Sequence, residues 1–307
     1  MSEMNLPDEK NVGVEVSGAL LKAACLDKNR VLINAVKISL NREQEIFAQL
    51  IAFLAELKRQ FGDFKKVGIA VPGLLNSASN RITLSKHIPE HAEIDLADEV
   101  KNETGLEVVL ENDANAAAYG EYVLGAGRGS RSMFFVTLGT GVGGAFIFDG
   151  KLWRGTSGFA GELGYLTINS EGMKLEEVAS ANSIIRRVKT RVHQDSTSSL
   201  ARIGEDEIKI SDVVRAASEG DDFSRMMLER TGGYVGAAVA NVINLFNIER
   251  IIVGGEVMET ENVVLDAIIK SARELSFEPS FETTEIVAGE LGENAAAVGV
   301  ALISAES

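Results

Sequence analysis

Glu111-Asn112-Asp113-Ala114-Asn115-Ala116-Ala117-Ala118 joins an apolar run, Val108-Val109-Leu110, to an alanine-rich segment. The run reads as a strand and the segment as a helix, with Asp113 at the junction. Asp is a preferred N-cap, because its side chain accepts hydrogen bonds from the orphan N–H groups of a first helical turn. A second reading competes with that one. A carboxylate at the carboxyl end of a strand in an α/β fold faces the crevice where ligands bind. There it lies within reach of a hydroxyl proton, as a general base must.

Three further stretches carry candidate chemistry. Gly139-Thr140-Gly141-Val142-Gly143-Gly144 lies between two apolar runs. Glycine lets backbone amides approach an anion, and consecutive amides form an anion-binding nest. Four glycines in six residues exceed what a hairpin needs, so phosphate is the expected ligand. The run has neither the Gly-Lys-Ser/Thr of a Walker loop nor a dinucleotide fingerprint. Gly254-Gly255 closes another apolar run and is bare backbone against which a base and ribose could lie. Gly158-Phe159-Ala160-Gly161-Glu162-Leu163-Gly164-Tyr165 carries Glu162, whose carboxylate can accept two hydrogen bonds from a polyhydroxyl ligand. Glu176 and Glu177 would ordinarily be acids favoured at a helix start.

The elements that must position these groups alternate. Val12–Val16, Ala19–Leu26 and Val31–Ile38 read as strands in meander order, broken at Ser17-Gly18 and Asn29-Arg30. A helical face follows across residues 43–61, with Gly62 as its stop. Val67–Val71 ends at the Pro72-Gly73 turn. Asp95 caps a helix to about Thr104. Met133–Leu138 and Ala145–Phe148 flank the glycine-rich turn, and Asp149-Gly150 is a hairpin signal. Residues 158–165 precede a strand, and 176–192 is helical. Ser211 caps a short helix, and residues 221–246 form one long helix or two joined near Gly232-Gly233. A strand at 249–253, a helix near 259–274, a strand at 285–288 and a helix at 294–304 complete the chain. The alternation argues for α/β architecture with a largely parallel sheet. Strand–glycine turn–strand occurs at Ser17-Gly18 and again at Gly139–Gly144, which suggests an internal duplication. The boundary is expected near residues 113–130, with lobes at 11–117 and 118–292, and helix 294–305 completing the first.

Composition bounds the partners. The 307 residues carry 30 Lys+Arg against 45 Asp+Glu, a net charge of −15. That disfavours nucleic acid and anionic membranes, which need basic surface. Small anions are bound locally by amides and stay open. One cysteine, Cys25, excludes an internal disulfide and a cysteine-based zinc site, and reads as a buried thiol. The polar, acidic first ten residues are no signal peptide, and no run approaches a membrane span. A cytoplasmic protein is the expectation.

Five stretches resemble one family in order and spacing: Glu111–Glu121, the Gly139–Gly144 turn, Ala160–Tyr165, Leu175–Ser180 and Asn244–Val257. They look like the ROK family (repressor, open reading frame, kinase) of sugar kinases and sugar-responsive regulators. The resemblance runs from Val12 to the terminal alanine-rich segment. It implies an actin-like ATPase, ribonuclease H-like fold of two lobes, with a sugar in the cleft, and a homodimer or homotetramer. It also implies ATP as donor and Mg²⁺ on its phosphates, as in phosphoryl transfer generally. Asp113 would be the base that deprotonates the sugar hydroxyl. Gly73, Asn112, Glu162, Tyr165 and Glu176 would meet the sugar. Ser17, Gly18, Gly139, Thr140, Gly141 and Gly143 would line the phosphates, and Gly254 and Gly255 the adenosine.

Three departures stand out. The family's first phosphate motif, Asp-x-Gly-Gly-Thr, is here Glu15-Val16-Ser17-Gly18-Ala19, leaving Glu15 as an outer-shell Mg²⁺ candidate. Tyr165 stands where the family has a sugar- and zinc-contacting His. Gly172-Met173-Lys174 stands in place of the family's zinc cysteines, so no zinc is expected. His87, His91 and His193 lie outside that segment. Only ten residues precede the first strand, so the expectation is an enzyme or a sugar-binding regulator without a DNA-binding module. A glucokinase-like hexose kinase is the leading reading, and a catalytically impaired sugar-binding regulator is the alternative.

Overall fold

The computed structural model describes residues 10–41, 43–76, 81–84, 95–194, 197–259 and 262–307. His87 and His91 lie outside them. The chain divides into two compact units. Unit 1 holds Met1–Arg128, Leu152–Ala160 and Glu293–Ser307, and unit 2 holds Gly129–Lys151 and Gly161–Gly292.

In unit 1, β1 (Asn11–Val16), β2 (Leu20–Leu26) and β3 (Leu32–Ser39) form the expected meander. Helix α1 (Ile46–Phe61) buries Leu50, Phe53, Leu54, Leu57 and Phe61 and starts three residues later than its apolar face suggested. β4 (Lys66–Val71), the short pair β5 (Leu74–Asn76) and β6 (Arg81–Leu84), α2 (Leu96–Thr104) and β7 (Glu107–Asn112) follow. Asp95 accepts from the Asp98 amide, and Gly105 ends α2 in the left-handed region. The sheet order is β3-β2-β1-β4-β7. β1 is antiparallel to β2 but parallel to β4, and β4 is parallel to β7, so the sheet is mixed rather than largely parallel. The meander makes it so, because hairpin-linked strands must run antiparallel.

Helix α3 (Asp113–Leu124) and the last helix, α10 (Ala295–Glu306), share this unit. α10 is apolar all round and almost wholly buried, from Ala295 to Leu302. Glycines allow that depth. A Cβ on Gly13 would stand 2.0 Å from the Ala297 carbonyl oxygen, and one on Gly68 2.2 Å from that of Val300. A Cβ on Gly299 of α10 would likewise stand 1.7 Å from the Ala116 carbonyl oxygen of α3.

Unit 2 repeats the strand plan. The second sheet holds β8 (Ser132–Leu138), β9 (Val142–Phe148), β10 (Lys151–Trp153, of which only Lys151 falls in unit 2), β11 (Arg250–Gly254) and β12 (Glu285–Ala288) in the order β10-β9-β8-β11-β12. Again the first two strands are antiparallel and the later two join in parallel. This is the duplication in topology, where residue identity between the halves is slight.

The helices of unit 2 differ from expectation at several ends. The segment 176–192 is two helices, α4 (Glu176–Ala179) and α5 (Ala181–Arg191). Ser180 leaves helical geometry to cap α5, accepting from the Ser183 amide. α6 (Ile210–Ser218) is capped at Lys209, with Ser211 inside its first turn. α7 (Asp222–Phe246) is one helix through Gly232-Gly233. Gly232 and Gly236 are points of close approach, whereas a Cβ on Gly233 would meet open space. A Cβ on Gly232 would stand 2.6 Å from that of Ala267, in α8 (Val263–Leu275), and one on Gly236 2.5 Å from the Ile268 carbonyl oxygen. No strand follows Tyr165. Leu163–Tyr165 is a single 3₁₀ turn, followed by a loop bridged at Thr167 and Lys174. A short helix, α9 (Glu278–Glu282), precedes β12. No helix among the described residues is long and apolar enough to cross a membrane.

Candidate functional site

In unit 1 the strand-to-helix junction is built around two acids with different neighbours. Asn112, not Asp113, caps α3: its side-chain oxygen accepts from the Asn115 amide at 3.0 Å. Asp113 is the first helical residue, one position inside the cap. Asn112 Nδ2 donates to the Gly73 carbonyl at 2.9 Å and to Asp113 Oδ1 at 3.2 Å. The Ala114 amide also donates to Asp113 Oδ1, at 2.9 Å. Gly73 takes φ of 114°, a backbone shape that suits glycine and turns its carbonyl onto Asn112. Gly73, Asn112 and Asp113 are thus brought together.

The Glu111 carboxylate lies directly behind this junction and is 4% exposed. Its Oε1 accepts from the Asn112 amide and from Asn115 Nδ2, both at 3.0 Å. Its Oε2 accepts from Arg154 Nε at 3.1 Å and also from Arg154 Nη2. The sequence marked Glu111 only as part of a motif, and Arg154 not at all. Forty-three positions separate the pair, and no local pattern links them.

At β1, Glu15 faces Lys22 of β2 at 3.3 Å, directly across the hairpin. Burial is the main influence on Glu15 and holds its carboxyl above the ordinary range, while the Lys22 ammonium pulls it back. Lys22 also donates to the Glu293 carbonyl. Ser17 is turned inward on its own hairpin. Its hydroxyl donates to the Leu20 carbonyl and accepts from the Leu20 amide, each at 2.9 Å. Gly18 and Ala19 stand exposed at the turn. The candidate Mg²⁺ carboxylate already has a cation beside it, so this set does not fit a metal ion as it stands.

In unit 2 the glycine-rich turn is shorter than its sequence suggests. β9 already begins at Val142, leaving Gly139, Thr140 and Gly141 as the turn. Gly144 is a packing residue, because a Cβ there would stand 2.5 Å from the Phe134 ring and 2.8 Å from the Gly161 carbonyl oxygen. Two braces hold the turn. The Ala181 amide donates to the Gly139 carbonyl at 2.8 Å, and the Val142 amide donates to Glu176 Oε2 at 3.3 Å. The Thr140 and Gly141 amides make no hydrogen bond among the described residues. Space around Gly139 is open, the nearest atom to a built Cβ being Glu256 Oε1 at 3.9 Å. Two adjacent unengaged amides on a braced turn fit a phosphate oxygen.

Gly161 and Gly164 seat the next segment on the same strand. A Cβ on Gly161 would stand 2.2 Å from the Gly144 carbonyl oxygen, and one on Gly164 2.4 Å from that of Val142. Glu162 and Tyr165 therefore lie exposed beside β9, near Glu176 through the shared contact with Val142. The Lys174 ammonium sits 4.0 Å from the centre of the Tyr165 ring. The loop at the family's zinc segment is closed by hydrogen bonds. Asn169 Oδ1 accepts from the Glu171 and Met173 amides, and the Ile168 and Leu175 amides close the ladder. Gly254 and Gly255 have a packing role. A Cβ on Gly254 would meet the Phe135 ring at 3.0 Å, and one on Gly255 the Leu138 carbonyl oxygen at 2.4 Å.

Comparison with known proteins agrees with these motifs. The ROK family model matches residues 11–307. A glucokinase of Halalkalibacterium halodurans is 31% identical, covering 96% of this chain and 94% of its own. A xylose repressor of Bacillus subtilis is 28% identical over 77% of this chain, which spans 60% of the repressor. The crystal structure of a ROK family glucokinase from Streptomyces griseus, in complex with glucose and AMPPNP, superposes with a TM-score of 0.88 at 29% identity, covering 97% of this chain and 100% of that one. The fold is the actin-like ATPase fold of ROK sugar kinases. From its first strand to its last helix, the chain belongs to the ROK family.

Proposed function

We propose that this protein is a sugar kinase that transfers a phosphoryl group from ATP to a hexose hydroxyl, with Asp113 as general base. The observation that carries this reading is the state of Asp113. Asn112 is the N-cap, and Asp113 Oδ1 accepts from Asn112 Nδ2 and the Ala114 amide, which fix the direction of the carboxylate. Such a carboxylate is oriented for a task that helix formation does not require. Asn112, Gly73, Glu162, Tyr165 and Glu176 are the sugar-contacting candidates. The Thr140 and Gly141 amides are candidates for the phosphates, with Gly139 in the same turn and Gly143 in the strand that follows it. ATP supplies the phosphoryl group, and the chain's work is positioning and charge stabilisation. No step is assigned to Mg²⁺ at Glu15, because Lys22 holds that carboxylate. The glucokinase relatives support the reading, and a homodimer or homotetramer in the cytoplasm is part of it.

A sugar-binding regulator is the second reading. The Glu15–Lys22 pair and the Ser17 hydroxyl closed on Leu20 favour it, since both withdraw groups from the first phosphate motif. The repressor relative supports it. A coupled ADP-release assay over hexoses and N-acyl hexosamines, with MgATP, separates the two. Sugar-dependent ADP release is the expected result. Sugar binding by calorimetry without ADP release with any sugar would replace the kinase with the regulator.

A further inference from the structure

We infer that Arg154 is a positioning residue for Asp113, acting through the buried carboxylate of Glu111. This rests on the kinase reading. Glu111 has no solvent to share, yet both of its oxygens are occupied. Oε1 holds the Asn112 amide and the Asn115 side chain, and so clamps both ends of the capping turn that contains Asp113. Oε2 is given to Arg154, through Nε and Nη2. A buried carboxylate holds such a clamp only if its charge is compensated, and the two-pronged guanidinium does this with fixed geometry. Arg154 itself is more accessible, with a side chain 36% exposed. It is anchored where its own carbonyl accepts the Ala160 amide at 3.1 Å. The order of dependence is Arg154 to Glu111, Glu111 to Asn112 and Asn115, and Asn112 to Asp113. Neither Arg154 nor Glu111 nor Asn115 needs to touch substrate for this to work, and Asn112 has a separate sugar role.

Misplacing a reacting group by about 1 Å can cost on the order of 10²-fold in rate. Arg154→Ala is therefore expected to lower kcat by roughly 10- to 100-fold, with KM for the sugar changed by less than about threefold. Ethylguanidinium added to this variant should restore part of the loss, since it can refill the space beside Oε2. Because Arg154 acts only through Glu111, E111Q/R154A should be within about twofold of E111Q. Independently of activity, Arg154→Ala should speed amide hydrogen exchange in a peptide covering residues 111–116. If the uncompensated acid keeps Arg154→Ala from folding, Arg154→Lys retains the charge without the paired geometry and should show an intermediate kcat. Wild-type kcat in Arg154→Ala or Arg154→Lys would overturn the inference, as would a loss that adds to that of E111Q. Should the wild-type protein phosphorylate no sugar, the kinase reading fails, and unchanged exchange at residues 111–116 would then overturn the clamp as well.

Discussion

Two acids of this chain show how environment divides labour among residues of one type. Glu111 is buried with its charge compensated by Arg154, whereas Asp113, two residues on, accepts from Asn112 Nδ2 and the Ala114 amide and is the proposed general base. Glu15 is a third case. Burial outweighs the Lys22 ammonium and raises its carboxyl above the ordinary value of 4.5. A raised folded-state value means the contribution to stability is complete below the unfolded value and is lost as the pH climbs through the folded one. Glu15→Gln removes that loss while Lys22 keeps the Glu293 carbonyl. The variant should therefore gain stability relative to wild type as the pH is raised from about 4 to 7. Thermal denaturation across that range checks it, and a difference that is flat or shrinks would contradict it. The sequence could not assign the cap between Asn112 and Asp113, because both are good N-caps and only the backbone decides which stands outside the helix.

Elements here are set by close backbone approach as much as by apolar periodicity. The strands of the first meander and the ends of α2 were legible, because turns at glycine, aspartate and asparagine punctuate them; in the second meander only the turn at Asp149-Gly150 announced β10. What misled were glycines with two possible meanings. Gly144 and Gly255 stand in stretches that invite a ligand reading, and each also faces backbone or a ring that leaves no room for a side chain, as do Gly161 and Gly164. Such contacts join segments distant in sequence, so no local pattern reveals them. Gly299 tests this account, because α10 and α3 meet there with no intervening side chain. Gly299→Ala forces a Cβ to within 1.7 Å of the Ala116 carbonyl oxygen unless the helices part. A loss of about 3 kcal/mol is expected, since overpacking a filled core strains both partners. Urea unfolding with an unchanged slope and a lowered midpoint would record it. Wild-type stability would mean that the two helices separate freely.

At the scale of the whole molecule, each unit carries a hairpin meander extended by two parallel strands, and the last helix of the chain belongs to the first unit. Topology repeats where residues do not, which is why the sequence hinted at duplication through turn placement alone. Metal dependence is also a property of the whole chain. A closed structural zinc site needs four ligands, and the only thiol, Cys25, is buried in the core of unit 1. In the family's zinc segment, Asn169 closes the loop with its side chain instead. Protein purified without chelators should contain zinc well below one equivalent by elemental analysis, with unchanged thermal stability after chelator treatment. Stoichiometric zinc would contradict this.

The central claim is that Asp113 does chemistry and does not merely start a helix. Asn112 caps α3, so Asp113→Asn should leave the fold, the helix start and sugar affinity by calorimetry close to wild type. Its rate of sugar phosphate formation should fall by about 10²- to 10⁴-fold, the usual worth of a general base. Measured side by side with the wild-type protein on its best hexose, that loss with binding retained is the predicted result. Turnover at the wild-type rate in the variant would contradict the account.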